Sequence, residues 1–324
     1  MGCSGAGEVK QAEIRDGEII LTGMQFERTK IKLASVQSIK GRNSEHVGTE
    51  LGNLFPKKEL KSLYLLSDGL SVNGTALIKG LKNVLGQDLN LAGGLAGDGA
   101  DFKNTFVLVD GIPTKNAATA IGFYGDHVHI ASTADAGWIP FGPIRTITKS
   151  ESNILYELDG KPALSLYKQF LGEQAKKLPA SALLFPIYLK YGTDKADRNA
   201  VRTILSVNES NQSMTFAGDV PEGSSIQLMR ASHENLIEAA KAVSLVNRVH
   251  LDGTAPTVSL IVSCVGRRLV MGESTEDEVE MVLSHMPRNT VQTGFYSYGE
   301  IGACLTGVCD LHNQTITLTL IQER

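Results

Sequence analysis

Gly294-Phe295-Tyr296-Ser297-Tyr298-Gly299-Glu300-Ile301-Gly302 is the most distinctive run of this chain: glycines frame an aromatic pair, and an acid follows. Alternate residues of a β-strand share a face, so this spacing can place Tyr298 and Glu300 side by side. A phenol and a carboxylate so placed can fix the amine or hydroxyl of a ligand. The same residues also fit a β-bulge in which Glu300 pairs structurally with Arg267 or Arg268. Strand patterns flank the run. Thr257–Ser263 (TVSLIVS) is apolar enough for a buried strand, Gln292–Tyr298 continues the β rhythm, and Thr315–Ile321 (TITLTLI) closes the chain as a strand.

Further out, strands dominate and helices are interspersed. Glu18–Phe26, Lys61–Leu66, Thr105–Val109, Ala118–Tyr124 and His127–Thr133 read as strands, with Gly125-Asp126 as hairpin turn residues between the last two. The apolar spacing of Leu77, Ile78, Leu81 and Leu85 predicts a helix from about Asn73 to Leu85, which Gly86 ends. Pro162–Leu171 reads as a second helix, and Gly172–Lys177 as a polar connector. Beyond it, strands are expected at Ser181–Lys190, Val201–Val207, Ser213–Phe216 and Ser225–Arg230. Helices are expected at Glu234–Val249, capped near Ser232 or His233, and at Glu276–His285. This order predicts an α+β protein of two domains, 1–175 and 176–324, with mixed or antiparallel sheets.

The 324 residues are 42% hydrophobic and 20% charged, and 31 Lys plus Arg face 35 Asp plus Glu for a net charge of -4. That balance argues against a nucleic-acid surface, which needs a basic stripe. No apolar run reaches membrane-spanning length, and the N-terminus lacks the basic flank and apolar core of a signal peptide. Ala6 stands where a myristoylation signal needs Ser or Thr. The expectation is a cytoplasmic protein that contacts neither nucleic acid nor membrane. Cys3, Cys264, Cys304 and Cys309 then read as reduced thiols. Cys304, Cys309 and His312 raise a metal site, but their spacing is not that of a zinc pair.

Three further features carry chemistry. Gly93-Gly94-x-x-Gly97-Asp98-Gly99 is either a loop that cradles an anion or a tight turn between helix and strand, and it matches no nucleotide-binding fingerprint. Arg267 follows an apolar strand, where a guanidinium fork suits a carboxylate or phosphate, or an internal salt bridge. Asn313 lies at a turn it can close. The histidines, His46, His127, His129, His233, His250, His285 and His312, form no metal or haem-attachment motif. Nothing spells a nucleophile elbow, which leaves Cys264 or Glu300 as the residues of a weak enzyme alternative.

Together these motifs resemble a known family. Cys264-x-Gly266-Arg267, Gly294-Phe295-Tyr296-Ser297-Tyr298-Gly299-Glu300-Ile301 and His312-Asn313-Gln314-Thr315 resemble the FIST C domain. Gly93-Gly94, Gly97-Asp98, Gly137-Trp138-x-Pro140-x-Gly142 and Leu158-Asp159-Gly160-x-Pro162-Ala163 are similar to the FIST N domain. The resemblance implies an intracellular sensory module that binds a small ligand, such as an amino acid or related metabolite, and signals through a separate partner. Arg267 would meet an acidic group, Tyr298 and Glu300 would fix polar groups, and Gly93, Gly94, Asp98 and Asn313 would complete the site. The alternative it implies is a haem-binding nitric-oxide sensor partnered with a histidine kinase. In the family a strand and helix precede the stretch that here is Gly2-Cys3-Ser4-x-x-Gly7-Glu8, so the expectation is a shortened FIST N domain.

Overall fold

The computed structural model describes residues 1–191, 200–249, 251–304 and 309–324, without the side chain of Cys309. Strands β1–β22 and helices α1–α6 are numbered along the chain. Two six-stranded sheets hold most of the core. The first runs β21 (Cys309–His312), β20 (Gly299–Ala303), β5 (Asn90–Leu95), β4 (Leu60–Ser67), β8 (Ala117–Tyr124) and β3 (Lys30–Gln37). The second runs β2 (Glu13–Arg15), β1 (Glu8–Lys10), β19 (Thr290–Ser297), β18 (Thr257–Cys264), β22 (Ile316–Glu323) and β9 (Val128–Asp135).

The two sheets share one pairing plan. Each has a central parallel pair, β4 with β5 and β18 with β19. Each pair is bounded by antiparallel neighbours, β8 then β3 in the first sheet and β22 then β9 in the second. On the other side of each pair sits an antiparallel two-strand unit, β20–β21 or β1–β2. That unit is exchanged across the chain. The N-terminal β1 joins the sheet built from the C-terminal half, and the C-terminal β20 joins the sheet of the N-terminal half.

Alternation along the strands sorts the layers. Leu63 and Leu65 of β4 pack with Val47 and Leu51 of α1 (Ser44–Asn53) and Leu77 and Leu81 of α2 (Gly74–Leu85). Leu66 points the other way, against Val262 and Phe295 of the second sheet. On that sheet Ile261 and Leu318 face Val243 of α4 (His233–Arg248) and Val279 and Val282 of α6 (Glu276–Ser284). The sheets therefore stack face to face with helices on both outer sides. Side chains cap the helices as the sequence leads one to expect: Asn73 accepts from the Ala76 amide at 3.1 Å, and Ser232 from that of Asn235 at 3.4 Å.

A third, eight-stranded sheet is built from residues 139–230 and has its own core. It runs β14 (Ala200–Arg202), β13 (Ile187–Lys190), β17 (Ser225–Arg230), β10 (Ile139–Glu151), β11 (Ile154–Leu158), β16 (Ser213–Phe216) and β15 (Ile204–Asn208), with β12 (Lys161–Pro162) beside β11. Leu164, Tyr167 and Leu171 of α3 (Ala163–Leu171) fill its core. Residue 175, where the sequence suggests a division, lies in the 3-10 helix Gly172–Lys177 beside α3. The hairpin β6 (Val107–Val109) and β7 (Ile112–Thr114) and the short helix α5 (Val265–Met271) complete the fold.

The α+β class and most elements agree with the sequence reading, and four local expectations do not. Glu18–Phe26 pairs with nothing and leaves Ile19 and Leu21 95% and 93% exposed. Its β-propensity is real, but no neighbouring strand offers it a ladder. Gly125-Asp126 is no hairpin turn, because β8 and β9 belong to different sheets. Gly93-Gly94 lies inside β5 and forms no turn. Ser181–Lys190 holds the 3-10 helix Ala180–Leu184 before β13, which contributes the strand.

The parallel pairs explain two glycines. A Cβ on Gly93 would lie 1.8 Å from the Leu65 carbonyl oxygen, and one on Gly294 1.9 Å from that of Ile261. Gly93 also has φ +136, a conformation that strains L side chains. Either strand would have to part from its neighbour to admit a methyl group. Gly93→Ala and Gly294→Ala are each expected to cost at least about 4 kcal/mol. Urea unfolding midpoints check this, and near-native values would show that the pairs can part cheaply.

Candidate functional site

Seen along β4 and β5, the C-terminal ends of the parallel pair open into a cleft. Ligand sites of α/β sheets form at such carboxyl ends, where loops diverge. The cavity measures about 490 Å³. Its floor is Asp68 and the Leu70–Val72 loop after β4. One wall is the loop after β5, with Phe102, Lys103 and Thr105, and the rim carries Lys40, Lys115 and Asn116. The opposite wall, Asn153, Leu205, Ser206 and Thr215, comes from the eight-stranded sheet. The cleft thus lies between the two bodies of the fold.

Asp68 organises the floor. Nearly buried, its carboxylate accepts hydrogen bonds from the Leu70 and Asn116 amides at 2.9 and 2.8 Å and from the Thr105 hydroxyl at 2.8 Å. Ser71 donates to the Asn116 side chain at 2.8 Å, which leaves the Asn116 amide group to donate. Phe102 and Asn116 adopt positive φ, 54° and 53°. Asn tolerates this region, and Phe does so only when held.

Asp98 and Tyr298, both expected at the site, do that holding from behind. Asp98 accepts from the amides of Phe102, Lys103 and Asn104 at 3.0, 2.8 and 2.6 Å and from the Tyr298 hydroxyl. Burial opposes its charge, yet the Tyr298 hydroxyl and the three amides hold its carboxyl below the ordinary range. The Tyr298 ring stacks on Phe102 with centroids 4.6 Å apart. Asn313 donates to the Tyr298 carbonyl at 3.1 Å and accepts from the Thr203 amide at 3.4 Å, joining the loop support to the eight-stranded sheet. None of these three side chains lines the cleft.

The other expected residues lie deeper. Arg267 is wholly buried in α5, bonded through Nε and Nη2 to Glu278 at 2.7 and 2.5 Å and to the Ala136 and Leu236 carbonyls. Glu278 also accepts from Ser263 and Tyr296, each at 2.8 Å. Arg268 instead pairs with Asp16. Glu300 is bonded to neither arginine: Ser297 lies at its Oε1, and the Thr315 amide and hydroxyl donate to Oε2 at 3.1 and 2.9 Å. Burial pushes its carboxyl up to about 8, against the pull of these donors and of Arg267. Gly94 packs against Val262 of the facing sheet.

The alternative chemistries find less support. Cys264 is buried, which raises its thiol well above the ordinary value and keeps it protonated. Among the described residues, no histidine lines the cavities of about 490 and 470 Å³. His312 is buried with Nε2 3.0 Å from the Gly302 carbonyl, and His233 pairs with Asp277. His250 and the Cys309 side chain lie outside the described residues. Among the described residues no three metal-ligating side chains cluster, and no helix is long and apolar enough to cross a membrane.

Sequence reading missed the cleft residues themselves, Lys40, Asp68, Lys103, Lys115 and Asn116. The one signal was positional: the Ser67-Asp68-Gly69 turn ends a strand that proves to be half of a parallel pair.

Comparison with known proteins bears on the whole chain. Residues 1–161 match the FIST N domain and residues 163–303 the FIST C domain. The chain is also similar to an uncharacterized protein of Methanocaldococcus jannaschii, with 24% identity over 310 residues. The alignment covers 88% of this chain and 58% of that protein, so the chain spans little more than half the relative's length.

Two outcomes follow from the buried charges. Arg267→Ala strands the Glu278 carboxylate in the core and is expected to cost about 3–5 kcal/mol, read as a lowered unfolding midpoint. For Glu300 the folded value of about 8 lies above the ordinary 4.5, so the folded state holds the proton more tightly. The stabilisation is complete below pH about 4.5 and is lost as pH rises through about 8. Glu300→Gln should flatten this decline between pH 5 and 9 in melting-temperature profiles, and an unchanged slope would assign it to other groups.

Proposed function

The chain belongs to the FIST family, whose domains are sensory modules of signal transduction, and from that premise we propose that it senses a small charged metabolite. The ligand, an amino acid or related metabolite, enters the cleft at the ends of β4 and β5, and the response passes to a separate signalling protein such as a histidine kinase. The carrying observation is the position of the 490 Å³ cavity, walled on one side by the loop after β5 and on the other by β15 and β16. A ligand there touches both bodies at once, so binding alters how firmly they hold together. The bodies already meet through apolar packing, Val201 and Met229 against Leu236 and Met271, and through polar ties. Asn73 at the head of α2 donates to Asp219 at 2.6 Å and to Ser152 at 3.1 Å, and Arg202 donates to the Leu311 carbonyl at 3.1 Å. In this reading Asp98, Tyr298 and Asn313 position the ligand loop, while Arg267 and Glu300 hold the framework that carries it.

A thermal-shift screen against amino acids and related metabolites tests the proposal. A ligand that binds only the folded state at 100 times its dissociation constant adds about 2.7 kcal/mol of stability. Ser206→Trp fills the cleft from an exposed position of β15 and should abolish the shift while leaving the ligand-free melting temperature unchanged. A shift that survives Ser206→Trp, or a panel that moves nothing, would overturn the assignment of the cleft.

A further inference from the structure

We propose that the ligand of this cleft is a small dianion without an ammonium group, a dicarboxylate or a phosphate monoester, held by Lys40 and Lys103 with Lys115 behind them. The inference rests on the cleft being the ligand site, and within that site it replaces the amino acid with a dianion.

Among the described residues the lining carries three lysines and one carboxylate, that of Asp68. Asp68 cannot serve an incoming cation, because it is 3% exposed and already accepts three hydrogen bonds from the floor and wall. An amino acid's ammonium would therefore meet three like charges and no available counter-charge. The lysines stand differently. Lys115 donates to the Asn104 side chain at 2.6 Å, which steadies the loop after β5. Among the described residues no carboxylate forms an ion pair with Lys40 or Lys103. Both are exposed at the cleft, one after β3 and one after β5, so an anion between them would bridge the two loops.

Most of the neutral groups can donate. The Asn116 amide group, with its carbonyl oxygen occupied by Ser71, presents donors to the cavity. The hydroxyls of Ser206 and Thr215 can donate from the opposite wall. Cations thus dominate the space: Asn153, which donates to the Phe216 carbonyl, is left with an accepting oxygen, and the one acid among the described lining residues is buried. Clefts of one charge sign concentrate counter-charged ligands, an effect that salt screens. The positive φ of Phe102 and Asn116 is consistent with loops held in place for a ligand rather than shaped on its arrival.

Calorimetry and thermal shift on the full chain, with succinate, inorganic phosphate, succinamide and glutamine as probes, test this. Succinate or phosphate should bind, and which of the two binds more tightly separates a dicarboxylate from a phosphoryl site. Succinamide should not bind. Lys40→Ala and Lys103→Ala should each weaken binding about tenfold, the loss of one charge-assisted hydrogen bond, with unchanged melting temperatures of the free proteins. Lys40→Arg should retain most of the affinity, and raised salt should lower it. Glutamine binding that exceeds succinate binding and ignores both lysine substitutions would overturn the charge class while leaving the cleft as the site. Succinate binding that persists in Ser206→Trp would move the dianion site elsewhere. Silence from every probe, with a screen that does find a cleft ligand of another class, would likewise remove the dianion.

Discussion

The chain crosses between its two central sheets at one residue, Tyr298, and most of the architecture depends on that crossing. β19 ends at Ser297 in one sheet and β20 begins at Gly299 in the other. A crossing this short fixes the separation and relative slide of the sheets, and the Glu300 carboxyl fastens it. From the first sheet it reaches back to Ser297 and to Thr315, which immediately precedes β22 of the second. Glu300 is fully buried, so its site favours the protonated acid, with Ser297 and Thr315 around it. The aromatic pair in the same motif divides the work. Tyr296 points to Glu278 on the helical side of its sheet, and Tyr298 points to Asp98 and the loop beside the cleft.

Both sheets follow the same pairing plan, yet among the described residues they differ at the carboxyl end of the central pair. Gly93 aligns with Leu65, and Gly294 aligns with Ile261, so Asp68 and Cys264 occupy corresponding places three residues after the aligned partners. After Cys264 the chain turns directly into α5, and the Arg267–Glu278 pair fills the space beyond the strands. Trp138 closes it further by donating to the Gln314 carbonyl at 2.8 Å. After Asp68 no helix starts until Gly74, and the intervening loop becomes a floor. The eight-stranded body supplies the far wall there. A common framework therefore carries a sealed, structural end and an open, polar one, and the difference lies in where the helix after the central strand begins.

This arrangement explains what could be read from the sequence. Strands with strong apolar runs and helices with a clear stop, such as β18 and α2, were legible because local pattern and final burial agree. Glu18–Phe26 has the pattern and lacks a partner, and partnership is a property of the whole fold. Arg267 illustrates a second limit: a guanidinium after a buried strand suits a ligand carboxylate and an internal one equally, and only the placement of Glu278 decides. Tyr298 and Asp98 are both site candidates in the sequence, and the structure shows that together they hold the loop after β5. The cleft lysines carried no signal, because three lysines far apart in sequence are ordinary until β3, β5 and β8 bring their loop ends to one edge.

The glycine and aromatic motifs thus act one step behind the surface of the cleft. Asp98 bonds three consecutive amides of the loop after β5, and the stacked Tyr298 ring keeps Phe102 in a backbone region it would otherwise leave. Holding that strain ordinarily costs about 1–3 kcal/mol, which buried hydrogen bonds of the Asp98–Tyr298 kind can offset. Because the loop is ordered before any ligand arrives, binding need not supply its ordering entropy. The bodies on either side of the cleft meet through apolar packing of Val201 and Met229 against Leu236 and Met271, and through polar contacts at Asn73, Arg202 and Asn313. In the proposed reading, a loop held rigid on one side and a wall from the eight-stranded sheet on the other would let occupancy of the cleft act on that junction, the change a sensory module needs to report on its ligand.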